Sequence, residues 1–183
     1  FYFAEKFKTF ANSFKEVFAS TASEESRIVI PLFYNRNLIG FQGRCIGPNK
    51  VKYITVMLDE QAPKIYGFDT IDKKLPVYVV EGPFDSSLLN NSVALCGADG
   101  DIRCLEGSDL VFVYDNEPRN REIVGRIGRC VERNERVVIW PKGIKEKDIN
   151  DMMLSGINVN SVVESHTYSG LEAKVKFTEW KKV

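Results

Sequence analysis

The stretch Val77-Tyr78-Val79-Val80-Glu81-Gly82-Pro83-Phe84-Asp85 decides the fold, because an apolar run ends abruptly there in an acidic turn. A short apolar run bounded by turn residues is typical of a buried strand. Gly82 permits a sharp turn beside Glu81. A second run, Val111-Phe112-Val113-Tyr114, leads in the same way into Asp115-Asn116-Glu117. We therefore predict two buried strands, each with acidic residues at its carboxyl end.

These acidic residues indicate a metal site. The carboxyl ends of parallel strands meet at one edge of a sheet, which is where ligands bind in open α/β folds. Side chains two apart in extended backbone point the same way, so Asp115 and Glu117 are expected to face one point near Glu81. Such carboxylates repel one another unless a cation is bound, and hard oxygen ligands suit Mg²⁺ or Mn²⁺, often shared with substrate phosphates. Either motif alone is more often a carboxylate that caps a helix than a metal site, whereas the two together favour metal-assisted phosphoryl transfer.

At these residues the chain resembles the Toprim fold, the catalytic module of bacterial and phage-type DNA primases, type IA and II topoisomerases and some nucleases. The matching elements are Glu81-Gly82 after a strand and the acidic pair one strand later, in which Glu117 replaces the usual second aspartate. The resemblance implies an α/β fold with a parallel sheet flanked by helices. It also implies that Glu81, Asp115 and Glu117 are catalytic residues and ligands of Mg²⁺ or Mn²⁺.

A second group of motifs precedes the Toprim strand. Gly40-Phe41-Gln42-Gly43-Arg44, Lys52-Tyr53 and Lys64 are similar to a β-rich subdomain of bacterial primases that topoisomerases and Toprim nucleases lack. Over roughly residues 27 to 155 the resemblance implies the polymerase core of a primase. In that family the matching residues line the channel for nucleotide and template. The residues so assigned here are Arg44, Lys52, Tyr53, Lys64, Gly82 and Asp85.

Charge supports the same interpretation of this segment. Residues 27 to 66 carry a local charge of +4, in a chain whose formal net charge is zero. A basic segment beside an acidic metal site can bind a polyanion, because binding responds to the local field. Tyr53 offers a ring on which a base can stack. The alternative is an antiparallel meander with ordinary surface lysines.

Asp148 and Asp85 have two explanations each. Lys147-Asp148-Ile149-Asn150-Asp151 precedes an apolar run and Gly156, which predicts a capped helix start with a glycine stop. Primases have a similar Asp-x-Asp stretch that adds metal ligands, so Asp148 is either a ligand or a cap, and Asn150 replaces the second acid. Asp85, one turn beyond Glu81, is either an outer ligand or a helix cap.

Hydrophobic spacing predicts the remaining elements. The Toprim strands are expected near residues 77–80, 92–95, 110–114 and 137–140, with a helix whose apolar stripe includes Ile123, Ile127 and Val131. Apolar residues three and four apart between Phe3 and Phe18 predict one amphipathic N-terminal helix. Alternation at Ala173, Val175 and Phe177 predicts a closing strand. The predicted divisions are 1–75 for the N-terminal helix and basic β-rich subdomain, 76–156 for the Toprim subdomain and 157–183 for the closing segment.

Composition limits the other possibilities. The 183 residues are 44% hydrophobic and 27% charged, and they contain neither a signal peptide nor an apolar run long enough for a membrane helix, so a soluble, cytoplasmic protein is expected. The four cysteines are unclustered, which predicts reduced thiols and no zinc in this part of the protein. Because the chain begins at Phe1, we expect a fragment with a zinc-binding module upstream.

The resulting hypothesis is a primase core that makes short RNA primers on single-stranded DNA from ribonucleoside triphosphates, with a replicative helicase as partner. The alternatives are a Toprim nuclease, a topoisomerase fragment, or a non-catalytic DNA-binding module.

Overall fold

Two β-sheets form the framework of the molecule. The computed structural model describes residues 1–47, 51–96 and 101–183. The first sheet is antiparallel, in the order β1 Tyr2–Ala4, β2 Arg27–Tyr34, β3 Asn37–Cys45 and β4 Tyr53–Met57. The short helix α1, Phe7–Asn12, packs on it. The basic β-rich segment expected before the Toprim strand is therefore confirmed as an antiparallel sheet.

The second sheet has six strands in the order β10-β9-β8-β6-β7-β5. Their bounds are β5 Ile65–Tyr66, β6 Val77–Val80, β7 Ser92–Leu95, β8 Leu110–Phe112, β9 Arg136–Val138 and β10 Thr167–Tyr168. The four central strands are mutually parallel, and the edge strands β5 and β10 are antiparallel to their neighbours. The helices are α2 Pro83–Leu88, α3 Arg121–Glu132, α4 Ile149–Leu154, α5 Val159–Ser165 and α6 Gly170–Trp180.

The predicted parallel strands and their helix are confirmed with slightly different ends. β8 stops at Phe112 and β9 at Val138, although Val113 still donates a hydrogen bond to the Val79 carbonyl of β6 (2.9 Å). The apolar stripe of α3 is buried on the sheet at Ile123, Ile127 and Val131. This is the α/β arrangement that the acidic motifs predicted, with a parallel sheet flanked by helices.

The antiparallel sheet depends on a close approach at Gly43. A Cβ atom there would overlap the ring of Phe7 and come within 3.0 Å of Arg27 Cδ. Arg27 is fully buried, and it donates to the carbonyls of Gly43 (2.8 Å), Val51 (3.0 Å) and Lys52 (3.3 Å). Arg27 therefore holds β3 to the start of β4. Although it was counted in the basic segment, it offers no charge at the surface.

The single helix predicted between Phe3 and Phe18 is wrong in extent. Phe3 lies in the edge strand β1, and α1 ends at Asn12. The Asn12 side chain stops the helix, because its oxygen accepts from the amides of Val17 and Phe18 (both 3.0 Å) and its nitrogen donates to the Phe18 carbonyl (2.9 Å). The aromatic rings of this region still gather on the sheet, three of them around Phe41.

The closing strand predicted near residues 173–177 is also wrong, because this segment is the helix α6. Ala173 and Trp180 are buried while Val175 is exposed, so the burial follows helical spacing instead of alternation. α6 packs beside α3, and Phe177 lies close to Gly128.

The boundaries between the three predicted regions stay a prediction. β5, from the first region, pairs with β7, and β10, from the third, pairs with β9. Both regions thus contribute edge strands to the parallel sheet. Within the described ranges, no helix is long and apolar enough to cross a lipid bilayer.

Candidate metal and nucleotide site

The predicted acidic edge forms where the central strands end. β6 and β8 are parallel neighbours, so Glu81 and Asp115 leave the sheet on the same side. Gly82 precedes the first turn of α2, and no side chain caps that helix. Asp85 instead turns back toward Gly82, with Oδ2 3.3 Å from where a Cβ would lie. The capping alternative for Asp85 is therefore not what the fold uses.

Four of the acids line one small cavity. Glu81, Asp85, Asp115 and Asp148 line a space of about 10 Å³, whose other lining residues are apolar or aromatic. A volume of this size is at the lower limit for one water molecule or ion. Asp148 also caps α4, because Oδ1 accepts from the Asp151 amide (2.8 Å). Capping uses only one carboxylate oxygen, so the two explanations of Asp148 are compatible.

Burial and mutual repulsion raise the pKa of three carboxyl groups that line this cavity. Burial raises the pKa of Asp85 to about 7, helped by the charges of Asp148 and Asp115. Burial likewise raises the pKa of Asp115 to about 6, with Glu81 as the next contributor. The pKa of Glu81 is also raised, mainly by burial, against the opposing charge of Arg126. Glu81, Asp85 and Asp115 therefore bind protons more readily than exposed carboxylates do.

Two basic side chains reach the acids, and sequence reasoning gave neither a role there. Lys147 Nζ lies 3.4 Å from Glu117 Oε2 and 3.7 Å from Asp115 Oδ2. Arg126 Nη1 lies 3.2 Å from Glu81 Oε1, an approach without hydrogen-bond geometry that leaves this buried oxygen without a hydrogen bond. The role of Lys147 could have been predicted, because Lys147 is next to Asp148 in the sequence. No sequence pattern could have predicted the role of Arg126, because only the packing of α3 brings it to the end of β6.

Glu117, the remaining predicted ligand, lies outside the small cavity. Lys147 lies between Glu117 and Asp115 and pairs with both. Within the ranges that the structure describes, no three His, Cys, Asp or Glu side chains stand close enough to hold one ion as they are placed. The donors nevertheless fit Mg²⁺ or Mn²⁺, because all are carboxylate oxygens and one of them, Glu81 Oε1, is buried without a hydrogen bond. The residues that would hold the ion are Glu81, Asp115, Glu117 and Asp148.

Asn116, which the sequence presented only as the spacer of the acidic pair, organises this edge. Its amide donates to the Lys147 carbonyl (2.6 Å), and its side chain donates to the carbonyls of Ile144 (3.0 Å) and Glu146 (3.1 Å). Its side-chain oxygen accepts from Trp180 Nε1 of α6 (3.0 Å). Asn116 thereby fixes the loop that carries Lys147 and Asp148 against the acidic pair.

The residues predicted to bind nucleotide are only partly gathered. The Arg44 guanidinium lies 4.7 Å from the centre of the Tyr53 ring, and the Tyr53 hydroxyl lies 3.9 Å from a Cβ position at Gly82. Burial raises the pKa of Tyr53. This pair therefore joins the antiparallel sheet to the acidic edge. Lys52 and Lys64 are exposed, and neither lines the small acidic cavity or the larger cavity beside it. Lys50, which contributed to the predicted local charge, lies outside the described residues.

A larger cavity of about 790 Å³ adjoins the small one at Glu81. It lies between the antiparallel sheet, the parallel sheet and α3, and its wall includes Tyr53, Gly82 and Arg126. The four cysteines are free thiols; Cys45, Cys96 and Cys130 are buried and Cys104 is partly exposed.

The fold and this edge form a Toprim-like α/β unit preceded by an antiparallel β-sheet, the arrangement that the motifs predicted. The chain is 37% identical over 168 residues to the DNA primase of Enterobacteria phage T4, which covers 87% of this chain and 48% of the relative. The chain thus spans about half the length of that relative. This homology and the shared fold confirm the resemblance seen in the motifs. No protein-family model matches the sequence.

Solved primase structures share the fold at low identity. The catalytic core of the E. coli primase matches with a TM-score of 0.59 and 18% identity, covering 86% of this chain and 59% of that one. A DnaG primase catalytic domain bound to single-stranded DNA matches with a TM-score of 0.59, 18% identity, and coverage of 87% and 58%. The Aquifex aeolicus primase, with zinc-binding and RNA polymerase domains, matches with a TM-score of 0.52, 19% identity, and coverage of 90% and 44%.

Proposed function

We propose that this chain is the catalytic core of a DNA primase that synthesises short RNA primers on single-stranded DNA. The observation that carries the proposal is the edge where Glu81, Asp85, Asp115 and Asp148 line one cavity, in a chain homologous to a phage primase. Ribonucleoside triphosphates would be the substrates and single-stranded DNA the template. The assignment of single-stranded DNA as template is supported by a similar DnaG primase catalytic domain that is bound to single-stranded DNA.

The chemistry follows from charge. Mg²⁺ or Mn²⁺ held by Glu81, Asp115, Glu117 and Asp148 would neutralise the triphosphate and stabilise charge on the leaving pyrophosphate. Glu81, whose raised pKa gives it greater proton affinity, would accept the proton of the primer 3′ hydroxyl.

The basic residues have a separate task. Arg44 stacks on Tyr53, whose hydroxyl lies near Gly82, and it would meet a phosphate while the ring contacts a base or sugar. Lys52 and Lys64 are exposed and would meet phosphates of the template, which position a strand without reading its sequence. An upstream zinc-binding module and a replicative helicase are the proposed protein partners. The proposal of a zinc-binding module is supported by the similar Aquifex aeolicus primase structure, which contains a zinc-binding domain.

The test is incubation of the chain with single-stranded DNA, labelled ribonucleotides and Mg²⁺. Growth of labelled RNA is expected, and Glu81→Gln should reduce it at least a hundredfold, because the change removes metal charge and basicity while keeping shape. Glu132→Gln, which changes an exposed carboxylate of α3, is the matched control and should keep full activity.

Shortened DNA with no RNA product would identify a nuclease instead. Wild-type rates in Glu81→Gln at matched metal concentration would end the catalytic assignment.

A further inference from the structure

We propose that Arg129 and Arg133 of α3 bind phosphates of the primer strand behind its 3′ end. Both residues line the 790 Å³ cavity that adjoins the acidic edge at Glu81. This inference rests on the proposed function and deepens it, because it names the residues that follow the growing strand away from the acids. Sequence reasoning gave neither arginine a role.

Helical spacing places these arginines in one row. Glu122, Arg126, Arg129 and Arg133 recur at intervals of four, three and four residues, so they share one face of α3 and its end. That face lines the cavity, whereas the apolar stripe that includes Ile123 is buried on the sheet. Three guanidinium groups therefore stand along one wall.

The first arginine of the row is already paired, and the other two are not. Arg126 pairs with Glu81 (3.2 Å) and with Glu122 (2.6 Å). Arg129 and Arg133 are exposed, and neither forms an ion pair with any residue that the structure describes. The row thus has an occupied end at the acids and two guanidinium groups beyond it that can bind an anion.

The surroundings of these two arginines leave them accessible from the cavity. Arg129 Nη1 lies 3.6 Å from where a Cβ of Gly125 would be, so the guanidinium lies over the glycine, back along α3. Glu135 is the remaining acid of the cavity wall, and it forms no ion pair with Arg133 in the described part of the chain. An anion in the cavity therefore competes with no carboxylate for either guanidinium.

The length of the row favours a strand over a single nucleotide. Since Arg126 meets Glu81, the row begins at the acidic edge. At a rise of about 1.5 Å per residue, Arg129 lies about 4.5 Å and Arg133 about 10.5 Å farther along α3. The phosphates of one nucleotide are needed at the metal ions, whereas a strand presents a phosphate about every 3.4 Å along its axis. Arg133 would then meet a phosphate about three nucleotides behind the end of the strand.

The strand that ends at the acids is the primer, because its 3′ hydroxyl is the group that reacts there. Lys52 and Lys64, the proposed contacts of the template, do not line this cavity. The two strands therefore meet different basic residues, and loss of Arg133 should affect primed DNA selectively.

The experiment measures equilibrium binding of a labelled hairpin to the chain in Mg²⁺ without nucleotides. The stem of the hairpin pairs an RNA strand with DNA and ends in a 3′-deoxy nucleotide. Arg133→Gln should weaken hairpin binding about threefold to tenfold, as for loss of one hydrogen-bonded contact. It should also lower the salt dependence by about one unit of slope. Binding of ATP and of unprimed single-stranded DNA should change far less.

A neutral methylphosphonate, placed at each phosphate of the RNA strand in turn, locates the contact. At the contacted phosphate, about three nucleotides from the 3′ end, it should weaken binding to the wild type by a similar factor. In Arg133→Gln the same substitution should cost nothing further, because the contact is already lost. Arg129→Gln should show this coupling at a phosphate nearer the end. A general loss of folding would not produce such position-specific coupling.

The matched control is Arg121→Gln, which removes an exposed arginine of α3 that does not line the cavity. It should bind the hairpin nearly as the wild type does. An equal loss in Arg121→Gln would overturn the inference, because binding would then respond only to the total charge of the helix.

Unchanged hairpin affinity in both Arg129→Gln and Arg133→Gln would also overturn it, as would coupling to no phosphate or failure of the wild type to bind the hairpin. An equal loss of ATP binding would assign the arginines to the nucleotide, and an equal loss of unprimed DNA binding would assign them to the template. Hairpin binding requires no synthesis, whereas the proposed primase activity is measured by RNA growth, so the two failures are distinguishable.

Discussion

Lys147 is expected to weaken metal binding, so Lys147→Gln should bind Mn²⁺ more tightly than the wild type. Its ammonium lies 3.4 Å from Glu117 Oε2 and 3.7 Å from Asp115 Oδ2, two of the predicted ligands. A divalent ion bound at about 2.1 Å from Glu117 would lie within about 5.5 Å of this ammonium. The side chain is 52% exposed, so a water-like dielectric applies.

In that dielectric the repulsion between a divalent and a single positive charge at about 5.5 Å is about 1.5 kcal/mol. Removing it should tighten Mn²⁺ binding about tenfold. The assay is Mn²⁺ titration followed by electron paramagnetic resonance, without nucleotide. Lys145→Gln removes the same charge from an exposed neighbour, and it should change affinity far less.

Unchanged Mn²⁺ affinity in Lys147→Gln would refute this electrostatic reasoning. Weaker binding would show that the lysine assembles the carboxylates instead of competing for them. A companion variant, Asp115→Asn, should weaken Mn²⁺ binding and so shows that the titration reports this site.

Three further predictions concern stability. Arg27→Met should lower the free energy of unfolding, measured in urea, by about 3–5 kcal/mol. The change removes the hydrogen-bond donor of three buried carbonyls and the partner of Glu25. A loss below about 1 kcal/mol would show that Arg27 does not hold the two strands together. Gly43→Ala should cost about 1–3 kcal/mol through overlap with Phe7, whereas Gly143→Ala, with nothing within 4 Å, should be nearly neutral by the same measurement. The raised pKa of Asp85, about 7, means that its burial costs stability as pH rises from about 4 to 7 without metal. The advantage of Asp85→Asn in melting temperature should therefore grow over that range and level off above it, and a constant advantage would exclude the shift.

Local pattern predicted the centre of the fold correctly. The apolar runs before Glu81 and Asp115 are buried strands as predicted, and because these strands are parallel neighbours, Glu81 and Asp115 line one cavity at the same edge. Glu117 lies outside that cavity. The ends of the chain were predicted less well. Residues 173–177 satisfy both alternating and helical spacing, and packing of Ala173 and Trp180 against the rest of the fold selects the helix.

The residue types and their order along the chain thus determined the α/β class, the acidic edge and the donor chemistry of the site. Tertiary structure alone decided that Arg126 and Lys147 pair with the acids and that Arg27 is buried. The physical reason is the sequence separation of the residues that interact. Strand and helix patterns arise from neighbours in sequence, whereas these contacts join residues that only the packing of two sheets and α3 brings together.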